Sequence, residues 1–301
     1  MMLKPDFLKE GDLIRIVSPA GKADKEKVLP ATDLLRKAGF DVRLGEHVFD
    51  RWFQFAGTDD QRLNDLQQAL DDPECRAIIC SRGGYGAIRI ADKLDFSAFG
   101  RYPKWLVGFS DVTVLHALLQ KQGFCSIHGA MPAFYLRDNQ PTESFTELIR
   151  LLSGEKTRIA LPVHPLNRKG RANGQLIGGN LSILFSLTGT PFEPDTDEKI
   201  LFIEDLTEYL YHLDRMMHSL KLAGKLKKLN GLIVGGFTEI KDNDSPFGQS
   251  VEEIILNAVK EYDYPVCFGF PAGHMDRNLP LMFGENYALD LTPGRASIRM
   301  L

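Results

Sequence analysis

Four short strand-like runs, Leu13–Val17, Asp41–Leu44, Arg76–Cys80 and Trp105–Val107, alternate with helical patterns over the first 120 residues, and this alternation limits the fold more than any other feature. A helix ends near Ala38, where Gly39 stops it, with Pro30 either in its first turn or kinking it. Thr58 caps another helix: Asp59 and Asp60 suit its first turn, and Leu63, Leu66 and Leu70 face inward. Strands separated by helices pair in parallel, so the expected first domain is an α/β unit of Rossmann-like or flavodoxin-like type, with its sheet covered on both faces.

Ligands of such sheets gather at the carboxyl ends of the strands, and two loops there stand out. After Trp105–Val107 the chain reads G-F-S-D, and Val114, Leu115, Leu118 and Leu119 then mark one face of a helix. Ser110 therefore sits where a buried strand turns sharply into a helix, near unpartnered N–H groups. A serine there suits nucleophilic attack, with the Asp111 N–H as an oxyanion donor. Serine is equally a favoured helix N-cap, and Val112 replaces the second glycine of G-x-S-x-G. The other loop is S-R-G-G-Y-G, Ser81–Gly86, ahead of a helix expected from Ala87. Its glycines allow close backbone approach to a ligand, as a plain turn, a phosphate cradle or a second oxyanion donor beside Ser110. Neither common nucleotide-binding glycine pattern is present.

The remaining sequence sets the bounds. At 301 residues, with 44% hydrophobic and 25% charged residues and a net charge of −4, the chain has a sizeable core and no basic surface for nucleic acid or anionic membranes. No signal peptide or 18-residue apolar run is present, and Cys75, Cys80, Cys125 and Cys267 lack C-x-x-C spacing, so a soluble cytoplasmic protein with reduced thiols is expected. The expected organisation is an N-terminal domain over 1–138, a polar, turn-rich connection over 139–173 and a C-terminal domain over 174–301. In that second domain Gln175–Ile177 runs into G-G-N and a short helix, and Lys199–Ile203 ends on Glu204 and Asp205. A helix follows with Leu210, Leu213, Met217 and Leu220 inward.

A serine nucleophile needs a base, and the base an orienting acid. Of seven histidines, His116, His212 and His218 lie in helical patterns, and His47 and His164 in polar loops. His128 follows a candidate strand, and His274 lies in a Gly/Pro-rich loop after Pro265–Phe268, the kind of place where catalytic groups sit. Glu204 is a candidate orienter, although an acid there also suits a helix start.

Five motifs now fall in the order and spacing of one family: R-G-G-Y-G at Arg82–Gly86, G-F-S-D at Gly108–Asp111, G-G-N at Gly178–Asn180, I-E-D at Ile203–Asp205 and G-H-x-x-x-N at Gly273–Asn278. From about Gly11 to Leu291 the chain resembles the LD-carboxypeptidases, the murein tetrapeptide carboxypeptidase family of serine peptidases. The resemblance implies Ser110 as nucleophile, His274 as general base, Glu204 as its orienter, and the N–H groups of Gly84 and Asp111 as the oxyanion hole. It also implies a smaller C-terminal domain rich in β structure, a cleft between domains and a homodimer. Arg82, Gly83 and Tyr85 are candidate substrate-binding residues, with Arg82 able to grip a terminal carboxylate. No cofactor or metal is expected, and H-E-x-x-H is absent. The implied reaction is release of the terminal D-alanine from a murein tetrapeptide at an L,D bond. A self-immunity peptidase acting on a peptide–nucleotide antibiotic is the alternative within the family, and a non-catalytic peptide- or anion-binding protein the alternative outside it.

Overall fold

The structure is a computed structural model that describes residues 2–156 and 158–301. In chain order its first strands and helices are β1 (Leu13–Val17), α1 (Lys25–Lys37), β2 (Asp41–Leu44), α2 (Asp59–Asp71), β3 (Cys75–Cys80), β4 (Trp105–Gly108), α3 (Thr113–Lys121) and β5 (Ser126–His128). A two-residue hairpin pair, β6 (Leu136–Arg137) and β7 (Gln140–Pro141), leads into α4 (Glu143–Leu152). Then come β8 (Arg158–Leu161), β9 (Gly170–Asn180), α5 (Leu181–Ser186), β10 (Lys199–Leu206), α6 (Leu210–Leu222), β11 (Gly231–Thr238), α7 (Val251–Ala258) and β12 (Val266–Cys267). The last strands are β13 (Leu281–Phe283), β14 (Asn286–Thr292) and β15 (Arg295–Met300). The chain forms two compact units, residues 1–155 with 276–284 and residues 156–275 with 285–301.

The first unit holds a six-stranded sheet in the order β13-β5-β4-β3-β1-β2. Every pair from β2 to β5 is parallel, and β13 adds an antiparallel edge on β5. The order 2-1-3-4-5 is that of flavodoxin-like sheets, whose switch point lies between β1 and β3. At that point the turns after the two strands are tied together: Ser18 Oγ and Ser81 Oγ are 2.6 Å apart, and the Gly21 N–H donates to Gly83 O at 2.9 Å. The central strands are buried on both faces, as a helix-covered parallel sheet requires.

Local signals explain most boundaries. Thr58 and Gln61 make a reciprocal capping box at the start of α2. On its inward face Leu66 and Leu70 are buried as expected, but Leu63 is only half-buried, and Arg62 and Asp65 are buried instead. The helix expected from Ala87 is two single 3₁₀ turns, Ala87–Arg89 and Ala91–Lys93. Residues 139–173, read as a connection, contain α4 and β8 as well as loops. The strong apolar stripe of α4, with Phe145, Leu148, Leu151 and Leu152 buried, is helical spacing that the polar turns on either side conceal in the sequence.

The second unit is built on a seven-stranded sheet, β12-β11-β10-β9-β14-β15-β8. Strands β9 to β12 run parallel, and β14, β15 and β8 are antiparallel, so the unit is mixed α/β and rich in strands. Its core joins Leu213, Met216, Met217 and Leu220 of α6 to Ile254 and Ile255 of α7 and to the strand residues Leu201, Ile203, Leu232 and Val234. Among the described residues no helix is long and apolar enough to cross a membrane.

One buried charge supports the helix that borders the glycine turn. Lys104, fully buried, donates from Nζ to the carbonyls of Leu70 and Asp72 at 2.7 Å and of Ala69 at 3.3 Å, satisfying the open C-terminal end of α2. Burial lowers its pKa, but three carbonyl partners hold the ammonium in place. Lys104→Met is expected to lower the unfolding free energy by about 3 kcal/mol in urea titrations, the cost of leaving buried carbonyls unpaired; a loss below about 0.5 kcal/mol would contradict this role.

Candidate active site

The first unit places Ser110 at the end of β4. Phe109 is extended, with φ −152° and ψ −173°, and Ser110 then turns to φ +65°, a left-handed conformation for a residue with a side chain. A 3₁₀ turn, Ser110–Val112, feeds directly into α3. Neither helix start carries a side-chain cap, so the capping role open to Ser110 is not the one it takes. A non-glycine residue held at positive φ costs on the order of 1–3 kcal/mol, and such strain collects at functional sites.

The glycine turn lies against this serine. A Cβ added to Gly83 would stand 2.8 Å from Ser110 Cβ, 2.9 Å from Ser110 Oγ and 3.3 Å from the Asp111 nitrogen, so only glycine permits the approach. Because Gly83 O accepts from Gly21, the trans peptide turns the Gly84 N–H to the opposite face, away from the Gly21 loop. Gly83, Ser110 and the Asp111 amide are thus brought together. Arg82 and Tyr85 flank them: exposed Arg82 donates to Lys22 O at 3.1 Å, and Tyr85, 46% exposed, sits 5.8 Å from the ring of Phe55.

The second unit brings Glu204 and His274 together. Glu204 lies at the carboxyl end of β10, level with Asn180 at the end of β9. On its other side the register with β11 shifts between Ile203 and Asp205, whose partners are Val234 and Phe237, leaving Gly235 and Gly236 as a bulge. A bulge re-aims a neighbouring side chain, and here both Glu204 and Asp205 are buried. Glu204 Oε2 is 2.6 Å from His274 Nδ1 and accepts the His274 backbone N–H at 3.1 Å. With the carboxylate on Nδ1, the imidazole carries its proton there and keeps the Nε2 lone pair for a substrate-side proton. Gly273 is required beneath this pair, because a Cβ would fall 2.7 Å from Glu204 Oε2, and Thr238 Oγ1 donates to His274 O at 2.9 Å.

The other histidines have structural surroundings. His116 is fully buried between Ser126 Oγ and Gly108 O, each 2.9 Å away, and burial pushes its pKa down to about 4, so it is neutral at pH 7. His128 is fully buried among Phe109, Phe283 and His116. His47 pairs with Asp65, His212 with Glu208 and His218 with Asp214. The four cysteines are free and buried.

Two parts of the site escape a reading of the sequence. Arg62 and the Asp111 carboxylate are both buried beside the glycine turn. Arg62 was findable, since positions 62, 66, 69 and 70 share one helix face and an arginine there must either find partners inside or break the stripe. In the second unit Asp205 holds the G-G-N turn: its Oδ1 accepts from Asn180 Nδ2 and the Leu206 N–H, and its Oδ2 from the Ser182 N–H, all at 2.9 Å.

Residues 14–129 match the LD-carboxypeptidase N-terminal domain, and residues 173–289 the LD-carboxypeptidase C-terminal domain. The chain belongs to the LD-carboxypeptidase family. A probable murein peptide carboxypeptidase of Bacillus subtilis is 35% identical over 98% of this chain and 94% of its own length. The murein tetrapeptide carboxypeptidase of Pseudomonas aeruginosa is 31% identical over 92% of each. The crystal structure of a muramoyltetrapeptide carboxypeptidase from Oxalobacter formigenes superposes with a TM-score of 0.88 at 29% identity, covering 96% of this chain and 98% of that one. The microcin C7 self-immunity protein MccF, in complex with aspartyl sulfamoyl adenosine, shares the fold with a TM-score of 0.88 at 22% identity, over 99% and 98% of the two chains. Membership makes this LD-carboxypeptidase family chain a carboxypeptidase enzyme of mixed α/β fold.

Two measurements check the site as described. Ser110→Gly removes the strain of a side chain at positive φ and is expected to raise the unfolding free energy by about 1 kcal/mol while abolishing activity; a loss of stability would contradict the strain. Burial first of all raises the pKa of Asp205 from 3.8 to about 7. A raised carboxyl contributes stability while protonated and loses it as pH rises, so wild-type stability relative to Asp205→Asn is expected to fall between about pH 4 and pH 7. Parallel pH–stability curves for the two proteins would contradict it.

Proposed function

We propose that this enzyme is a serine-type LD-carboxypeptidase that releases the terminal D-alanine from murein tetrapeptides, with Ser110 as nucleophile, His274 as general base and Glu204 as its orienter. The observation that carries the reading is the left-handed backbone of Ser110, a strained elbow at a strand end with its hydroxyl uncommitted to capping. The Glu204–His274 bond at 2.6 Å supports it, since a carboxylate on Nδ1 is what makes Nε2 a base.

In this reaction Nε2 of His274 takes the proton of Ser110 Oγ as the oxygen attacks the carbonyl of the L,D bond. Glu204 stabilises the imidazolium, and the Gly84 and Asp111 N–H groups receive the oxyanion, each such donor being worth on the order of 3 kcal/mol. The imidazolium then protonates the departing amine of D-alanine. Water, deprotonated by the same imidazole, attacks the acyl-serine and frees the enzyme. The mechanism requires the imidazole to reach the serine hydroxyl in the reacting state. Arg82 is the proposed partner of the substrate's terminal carboxylate, because a guanidinium grips a carboxylate with two hydrogen bonds. Residues 139–173 contain no Trp or Tyr to stack on a nucleobase, which favours a murein peptide over a peptide–nucleotide substrate.

The test is incubation with murein tetrapeptide and with an all-L analogue, followed by analysis of released alanine. D-alanine from the tetrapeptide alone is expected, with Ser110→Ala and His274→Ala each lowering kcat by about 10⁴-fold or more. Near-wild-type turnover by Ser110→Ala would remove this serine from the mechanism, and loss with His128→Ala but not His274→Ala would reassign the base.

A further inference from the structure

The glycine turn that supplies an oxyanion donor is held by two buried charges. On one side the carboxylate of Asp111, 1% exposed, accepts the Ala87 N–H at Oδ2 with a length of 2.8 Å. Asp111 is the residue after Ser110, so its backbone N–H faces the reacting oxygen while its side chain grips the far end of the same turn. On the other side the guanidinium of Arg62, with no side-chain exposure, donates from Nη1 to Gly86 O at 2.9 Å and to Pro19 O at 2.7 Å. Arg62 is itself fixed by Asp59 and lies 5.1 Å from the ring centre of Phe55. Asp59 is shared with Arg89, which also lies over Phe55, at 5.4 Å.

The Gly86–Ala87 peptide group is the point where the two holds meet: its carbonyl accepts from Arg62 and its N–H donates to Asp111. Three loops at the carboxyl ends of adjacent strands β1, β3 and β4 are thereby linked through one peptide group and the Arg62 guanidinium. Neither buried charge is the obvious choice for stability alone. Burial pushes the Asp111 carboxyl up to about 6 against the Ala87 amide bond and the Arg62 charge that pull it down, so keeping it ionised at neutral pH costs folding energy. A buried ion is worth keeping when it fixes geometry that apolar packing leaves loose.

We propose that Asp111 and Arg62 are positioning residues that lock the Ser81–Gly86 turn against Ser110, so that the Gly84 and Asp111 amides are preset for the oxyanion. This inference rests on the serine mechanism proposed above. It separates the two functions of Asp111: its backbone amide stabilises charge in the reaction, and its side chain holds the opposite donor in place. Preset donors act on the transition state more than on the bound substrate, so their loosening is expected in kcat rather than KM.

The experiment measures kcat and KM on murein tetrapeptide, and the rate of Ser110 phosphonylation by a fluorophosphonate, for wild type, Asp111→Ala, Asp111→Asn and Arg62→Lys. Folding is checked by circular dichroism. Asp111→Ala is expected to lose about 30-fold in kcat with KM changed less than threefold, and to slow phosphonylation by a similar factor. Asp111→Asn keeps an acceptor oxygen and is expected to return to within about fivefold of wild type. If Asp111→Ala does not fold, Arg62→Lys carries the test: an ammonium cannot reproduce the fork, and at least a tenfold loss in kcat at near-constant KM is expected. Wild-type kcat in folded Asp111→Ala or folded Arg62→Lys, or a loss borne by KM alone, overturns the proposal. A wild-type Ser110 that never reacts with the probe overturns the serine mechanism and this inference with it, whereas a reactive wild type with unaffected variants overturns this inference alone.

Discussion

The positive φ of Ser110 is the constraint on which the first unit's site depends. A single residue converts the extended end of β4 into the helical start of α3, and it does so in a left-handed conformation that costs an L-residue on the order of 1–3 kcal/mol. Those surroundings are specific. His116 donates to Gly108 O just before the elbow, the Asp111 carboxylate ties the residue just after it to Ala87, and Gly83 closes over it without a side chain. The sheet order explains why these loops are neighbours, since β3 lies between β1 and β4 and all three end on the same side. Strain at one residue is thus carried by a rigid sheet and by polar bonds that water cannot reach.

The second unit uses a different device for a comparable end. Instead of a strained residue it has a bulge, Gly235–Gly236 opposite Glu204, which lets two consecutive acids be buried at one strand end. They divide the work: Glu204 bonds both the ring and the backbone of His274, and Asp205 satisfies the turn that follows β9. Glycines appear in both units where a side chain would occupy the space of a functional atom, at Gly83 beside Ser110 Oγ and at Gly273 beside Glu204 Oε2.

Much of this was legible in the sequence, and the exceptions have physical reasons. Strand–helix alternation gave the parallel sheet, because β1 to β4 and the helices α1 and α2 carry their own local signals, from the Thr58 capping box to the apolar run of β4. As candidates, Ser110 and Glu204 were legible by their places at strand ends, and His274 by its Gly/Pro-rich loop and the motif around it. The left-handed backbone of Ser110 was not, since serine suits that spacing as a cap or as an exposed hydroxyl alike, and residue identity carries no φ. The buried pairings of Arg62 and Asp111 were hidden for another reason. Their partners are backbone groups of Pro19, Gly86 and Ala87, and a carbonyl or amide leaves no trace in residue identity.

The central claim is that Ser110 becomes covalently acylated during turnover. Intact-mass analysis of the enzyme quenched in acid during steady-state turnover of murein tetrapeptide, followed by peptide mapping, tests it directly. The account predicts a transient mass increase equal to the acyl portion of the substrate, located on the peptide containing Ser110 and absent from Ser110→Ala. Steady D-alanine release with no protein adduct at any time, or an adduct on another residue, would contradict it.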